Sequence, residues 1–241
     1  MPTARETTRN ARPSLDRLDP EVLRQQLDQG LADLDAAIDS RVDDQARDRM
    51  IAYLTLLARW NLAFNLTAVR DPMAMVARHL LDSLAVLPWI GRGPVLDLGT
   101  GPGLPGIPLA LVNPELDFTL LDSNGKKTRF VSQAIASLGI ANVRVVKDRA
   151  ETYRPPRKFA TIVARAVASL ATLRVVSAHL AAERGVLLAL KGRVSAEEMD
   201  ELAAGVGTDA PTSIAVHPLR VPFTEGERNL IVIPFDTHTH G

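Results

Sequence analysis

The 241-residue chain has no cysteine. That absence excludes a disulfide framework, a zinc–thiolate centre and every mechanism built on a thiolate nucleophile. Aromatic residues are scarce at 4%, so the platforms on which a nucleic-acid base could stack reduce to a few side chains, Phe64 and Tyr153 among them. Trp60 and Phe130 are expected in the core. Long apolar runs are missing as well. Stretches such as Val186–Leu190 have strand length, far short of the roughly 18 residues that a membrane-spanning helix needs. No apolar stretch follows the scattered Arg5, Arg9 and Arg12, so the expectation is a protein without a secretory signal that stays in the cytoplasm.

What is present describes a chain built to fold. Hydrophobic residues make up 46% and charged residues 23%, an ordinary globular balance. At about 150 residues per domain the length suits one large domain with an extension. Net charge is zero, with 28 basic and 28 acidic side chains, yet residues 93–193 hold 14 basic against 7 acidic. Within 126–158 stand Lys126, Lys127, Arg129, Arg144, Lys147, Arg149, Arg154, Arg157 and Lys158, opposed only by Asp148 and Glu151. A polyanionic partner needs such a footprint, although a solvated basic face would look the same.

Apolar residues at helical spacing between Asp44 and Asn65 predict an amphipathic helix. Asp71-Pro72 reads as the N-cap and first turn of a second, which runs on until Gly91 and Gly93. The pattern then changes to short apolar runs, Val95–Leu98, Phe118–Leu121, Val143–Val146, Thr161–Val163 and Val186–Leu190, alternating with helices near 104–112, 124–138, 168–182 and 195–204. This alternation predicts a mostly parallel sheet wrapped by helices, an α/β Rossmann-like fold. Runs near Ser213–Val216 and Asn229–Phe235 suggest an antiparallel hairpin at its edge. The expected division is a disordered arm over 1–18, a helical extension over 19–92, a ligand-binding domain over 93–236 and a frayed tail over 237–241.

A glycine loop, Gly99-Thr100-Gly101-Pro102-Gly103-Leu104-Pro105-Gly106, follows the first strand. Gly101-x-Gly103-x-x-Gly106 matches a dinucleotide fingerprint, whereas Gly99-x-Gly101-x-Gly103 behind Asp97 suits S-adenosylmethionine; both ligands bind at strand ends. Three features favour the methyl donor. Prolines 102, 105 and 108 remove amide donors that a pyrophosphate would use. Asp97 is unwelcome beside a pyrophosphate but suits a cationic amino-acid moiety, or equally closes the loop on itself. Asp122, at the next strand's end, can accept from ribose hydroxyls, a feature common to both ligands.

Seven blocks then resemble one family: Trp60-Asn61 with Phe64-Asn65-Leu66-Thr67-Ala68; Arg78-His79-Leu80-Leu81-Asp82-Ser83; the glycine loop; Leu120-Leu121-Asp122-Ser123 through Phe130; Arg149-Ala150-Glu151; Arg165-Ala166-Val167-Ala168; and Leu190-Lys191-Gly192. In order and spacing over about residues 45–192 they resemble the RsmG (GidB) family, bacterial enzymes that methylate guanine N7 in 16S ribosomal RNA. Ala160 and Ala164 depart from the residues common there. The resemblance implies a class I methyltransferase sheet, S-adenosylmethionine as cofactor, and the small-subunit RNA, free or assembled, as partner. It implies donor contacts from Asp97, Gly99, Gly101, Gly103, Leu104, Asp122, Ala150, Glu151 and Arg165. Asn65, Arg78, Lys126, Lys127, Arg129, Arg149 and Lys191 become candidates for RNA contact, and Arg165, Lys191 and His79 for positioning. His79 without the family would be a packed core histidine. No metal, no membrane and a monomer are expected.

The chemistry of the residues agrees with this resemblance. Pyrimidine carbon methylation would use a cysteine, which is missing. The Asn/Asp-Pro-Pro-aromatic loop of amine methyltransferases is replaced by Ala164-Arg165-Ala166-Val167. Guanine N7 presents a ready lone pair and needs no general base. A small-molecule or protein methyltransferase, or a non-catalytic module that senses an adenosine metabolite, remain the alternatives; the identity of the modified guanine stays open.

Overall fold

The computed structural model describes residues 18–165, 168–206 and 214–235. The expected arm, apart from Leu18, and the expected tail lie outside them, as do Ala166, Val167 and Ser213. Among the described residues five α-helices precede the first strand: α1 (Pro20–Leu34), α2 (Ala36–Asp39), α3 (Asp44–Phe64), α4 (Pro72–Met75) and α5 (Asp82–Leu84), the last two joined by a π-helical segment, Val76–Leu81, and followed by a 3-10 turn, Leu87–Trp89. Aspartates start most of them. Asp19, Asp35, Asp43 and Asp71 each accept a backbone N–H of the first turn, satisfying donors that a helix leaves free. Asn65 ends α3 in the left-handed region at φ 49°.

The sheet contains β1 (Val95–Leu98), β2 (Phe118–Leu121), β3 (Val143–Val146), β4 (Phe159–Arg165), β5 (Ala181–Lys191), β6 (Ala215–Pro218) and β7 (Asn229–Pro234) in the order β3-β2-β1-β4-β5-β7-β6. β1 to β5 are parallel, and β7 and β6 close the edge antiparallel. The connecting helices are α6 (Gly106–Val112), α7 (Gly125–Leu138), α8 (Leu170–Ala178) and α9 (Ala196–Val206). This is the mostly parallel fold with an antiparallel edge that the apolar pattern predicts. Several boundaries differ from the sequence expectation. The helix expected over 168–182 ends at Ala178, and β5 begins already at Ala181 and carries within it a kink with Arg184 at φ 58°. β4 extends beyond Thr161–Val163 at both ends. The long helix expected after Pro72 is broken by the π segment and stops at Leu84.

Strand alternation divides the sheet into two faces. Leu96, Leu98, Ile162, Ala164, Leu187 and Ala189 point into a core shared with α8 and α9, through Leu173 and Leu202. Val95, Val163 and Leu188 face the opposite side, where Leu23, Leu27, Tyr53, Leu57, Leu80 and Phe130 form one continuous core with them. The helices before β1 and one face of the sheet therefore share a core. By the same parity Asp97 and Arg165 belong to this second face. Phe130 is fully buried and Trp60 packs edge-on against it at 5.5 Å. Tyr153, a stacking candidate by sequence, is buried instead, its hydroxyl accepting from Arg144 at 3.1 Å. No helix of the described residues is long and apolar enough to cross a membrane.

The joint between the N-terminal helices and the glycine loop is specific. Tyr53, fully buried on α3, donates its hydroxyl proton to the Pro102 carbonyl at 2.8 Å. Tyr53→Phe is expected to lower stability by about 1–2 kcal/mol, because a buried carbonyl is left unpaired. Urea unfolding should register this as a lower midpoint at an unchanged m-value; an unchanged midpoint contradicts it.

Candidate functional site

The loop after β1 is held by its own amides. Gly99 and Thr100 donate to the Leu121 carbonyl, Gly101 to Asp122 Oδ2, Gly103 and Leu104 to the Thr100 carbonyl, Gly106 to Asp97 Oδ2 and Ile107 to the Gly103 carbonyl. Pro102 and Pro105 have no N–H. Every amide between 99 and 107 is thus engaged inside the protein, leaving none for a pyrophosphate.

Asp97 is fully buried behind this loop, where its Oδ2 accepts from Thr100 Oγ1 at 2.5 Å and from the Gly106 amide at 2.7 Å. A Cβ on Gly106 would stand 2.6 Å from that oxygen, so only glycine fits. Gly103, at φ 101°, packs against Ile107. Gly101 differs, since its φ is 60° and a Cβ there would meet nothing within 4 Å. Its open side faces a cavity of about 660 Å³ at the C-terminal ends of β1, β2 and β4.

Seven of the nine residues expected to hold a donor line this cavity: Gly99, Gly101, Leu104, Asp122, Ala150, Glu151 and Arg165. Asp97 and Gly103 do not; they shape the loop from behind. Asp122 ends β2 with Oδ2 on the Gly101 amide at 2.9 Å and Oδ1 on the Asn124 amide at 2.7 Å. Both oxygens retain a lone pair for a ligand. Asn124 caps α7 through the amides of Lys126 and Lys127. Lys127 and Arg149 also line the cavity, whereas Lys126 and Arg129 are exposed on α7 and Asn65 and Arg78 are exposed on the N-terminal side. Lys191 is not among the lining residues. Its Nζ donates to Glu198 Oε1 at 2.6 Å, which also accepts from the Leu170 amide. Sequence reasoning missed the wall supplied by α8, with Thr172, Leu173 and Val176. The three- and four-residue spacing after the fourth strand was the available signal.

His79 lies outside the cavity lining, 5% exposed, with Nε2 3.0 Å from Thr67 Oγ1 and Nδ1 unpartnered among the described residues. Thr67 in turn accepts from the Val69 amide, and its own amide donates to Asn61. The imidazole therefore braces the segment after α3. Burial, and next the Arg165 guanidinium, lower its pKa to about 4, whereas burial raises the Asp97 carboxyl to about 6 against the bonds from Thr100 and Gly106.

These shifts have opposite consequences for stability. The unfolded chain protonates His79 below about pH 6.5 while the folded state resists, so its contribution is present above that pH and is lost as pH falls towards 4. Folded Asp97 keeps a proton that the unfolded chain releases near pH 3.9 (about), so its contribution is present at low pH and is lost as pH rises through 6. The two slopes oppose each other in between. His79→Asn is expected to expose the Asp97 limb: from pH 6 to 4.5 (about) the variant should gain stability relative to wild type by up to about 1.4 kcal/mol per pH unit in urea unfolding. Parallel profiles contradict this.

The comparisons with known proteins concern the family and the fold. The family model GidB, described as rRNA small subunit methyltransferase G, matches residues 46–231. Ribosomal RNA small subunit methyltransferase G of Xanthomonas campestris pv. campestris (strain B100) is 48% identical over 211 residues, covering 85% of this chain and 96% of that protein. The protein of the same name from Marinobacter nauticus (strain ATCC 700491 / DSM 11845 / VT8) is 46% identical over 198 residues, covering 82% and 90%. Among solved structures, ribosomal protein L11 methylase from Lactobacillus delbrueckii subsp. bulgaricus shares the fold at a TM-score of 0.51 and 18% identity, over 65% of this chain and 77% of that one. The fold is that of the class I methyltransferases, and with the family pattern matched across most of its length the chain belongs to the GidB family, the rRNA small subunit methyltransferases G.

Proposed function

We propose that the protein transfers a methyl group from S-adenosylmethionine to N7 of a guanine in 16S ribosomal RNA, as a cytoplasmic monomer acting on the RNA or the small subunit. The observation that carries this reading is a cavity of about 660 Å³ floored by a glycine loop with no amide to spare and flanked by the Asp122 carboxylate. A ligand rich in phosphate finds no donors on that loop, while one with ribose hydroxyls finds acceptors on Asp122. The open side of Gly101 would take the donor's close approach, and Leu121, Leu173 and Val176 offer an apolar wall suited to a purine. Ala150 and Glu151, beyond β3, complete the enclosure. Bound there, S-adenosylmethionine supplies a methyl group activated by the sulfonium charge.

The protein's own part is to orient and to exclude water. Arg165, at the end of β4, reaches the cavity from the side of the N-terminal helices. Beyond the mouth, exposed Lys126 and Arg129 and the lining Arg149 would meet phosphates on one side, and Asn65 and Arg78 on the other. Arg70 is held by Asn65 Oδ1 at 3.1 Å, next to Phe64, which stacks 5.2 Å from Trp60 and is 43% exposed. This makes Phe64 a candidate platform for an unpaired base.

Three outcomes are expected. Gly101→Val should abolish donor binding in calorimetry, since a branched side chain enters the cavity and strains a left-handed residue; unchanged affinity in a folded variant removes the donor from this loop. Labelled donor incubated with unmodified small subunits should place the label on guanine N7, and label found only on protein or small molecules overturns the substrate. Because N7 enters as a neutral lone pair, no proton leaves, and the single-turnover rate should be flat from pH 7 to 9 (about). A rise of about tenfold per pH unit points to an amine or hydroxyl acceptor instead.

A further inference from the structure

Asp82 opens α5 and is 7% exposed. Both of its oxygens meet guanidinium groups: Oδ2 accepts from Arg165 Nη1 at 3.1 Å, at the end of β4, and Oδ1 lies 3.4 Å from Nε of Arg228, in the loop just before β7. The same Nη1 donates to the Arg78 carbonyl at 3.1 Å. The N-terminal helices thus grip the arginine that ends β4, and that arginine also lines the cavity.

A pair this buried is a weak stabiliser. Removing a carboxylate and a guanidinium from water is costly, and apolar side chains of similar volume often serve stability as well. What apolar side chains cannot supply is direction and charge. Two bonds through one nitrogen fix the guanidinium plane, while Nε and Nη2 make no bond among the described residues. Guanine presents O6 beside N7, an edge that arginine recognises. When N7 is the nucleophile its lone pair must stay free, which leaves O6 as the acceptor for the arginine. Charge is the second constraint. As the N7–carbon bond forms, the sulfur–carbon bond breaks with its electron pair going to sulfur, so a positive charge passes from the donor to the base. An unpaired guanidinium beside that path would oppose the cation at both ends; the Asp82 carboxylate makes the pair neutral.

We propose that Asp82 is a positioning residue for methyl transfer, fixing and neutralising Arg165 so that its free edge meets O6 of the target guanine. Arg228 on the second oxygen keeps the carboxylate from turning away. This inference rests on guanine N7 as the acceptor.

The test compares wild type, Asp82→Asn, Arg165→Ala and the double variant. Single-turnover rates are measured at saturating donor and small-subunit RNA, and exchange of the Arg165 guanidinium protons is measured by nitrogen-15 NMR in the donor-free protein. Asp82→Asn should lose about tenfold to hundredfold in rate, the usual effect of losing an outer partner, and should speed the exchange. It should cost nothing more in the Arg165→Ala background, because a residue that acts through Arg165 then has nothing to act on. An unchanged rate, or a loss that multiplies onto that of Arg165→Ala, overturns the inference. If Asp82→Asn does not fold, Asp82→Glu carries the comparison: it keeps the charge but displaces it by one methylene, and wild-type rate with wild-type exchange overturns the proposal. A wild-type protein that methylates no guanine overturns the functional reading and this inference with it, whereas wild-type transfer beside an indifferent Asp82→Asn overturns the inference alone.

Discussion

The carboxylate of Asp97, buried at the third position of β1, is the constraint on which the site is built. It gathers the Thr100 hydroxyl and the Gly106 amide on one oxygen, folding the chain between them into a loop that turns back before α6. Its other oxygen is buried without a partner among the described residues, and burial pushes its proton affinity upward. A charged group kept at that cost has to be repaid by the shape it enforces. Here that shape is the open face of Gly101, with the Pro102 carbonyl turned towards Tyr53.

Around this loop the protein divides its cations by use. Arg144 is tied to Tyr153, Arg154 to the backbone of Glu151 and Tyr153, and Arg157 to Asp117. Lys126, Lys127, Arg129, Lys147, Arg149 and Lys158 make no side-chain bond or ion pair among the described residues. Of these unbonded cations, Lys127 and Arg149 line the cavity.

Much of the fold was legible because apolar period and loop chemistry are local. Val95–Leu98 and Phe118–Leu121 are strands of the length that their apolar runs predict, and Asp71-Pro72 starts a helix as an N-cap and first-turn proline should. The cavity residues from Gly99 to Asp122 were legible for the same reason. What escaped depends on distant partners. Tyr153 looked like a free aromatic because nothing local says that Arg144 will hold its hydroxyl. Lys191 pairs with Glu198 only because α9 folds back over the end of β5. The π-helical turn at Val76–Leu81 has no marker in its composition, and the ion pairs of Asp82 form only when Arg165 arrives from β4 and Arg228 from the loop before β7.

The shared core on one face of the sheet also governs how the chain can be made. Synthesis delivers α1 to α5 before any strand exists, yet Leu23, Leu27, Leu57 and Leu80 are buried in one cluster with Val163 and Leu188. Asp82 waits 83 residues for Arg165. The leading helices can pack on one another before the sheet exists, but the apolar surface that they share with the sheet stays open until the middle strands emerge. An apolar surface left open in this way is available to chaperones and to self-association for that whole interval.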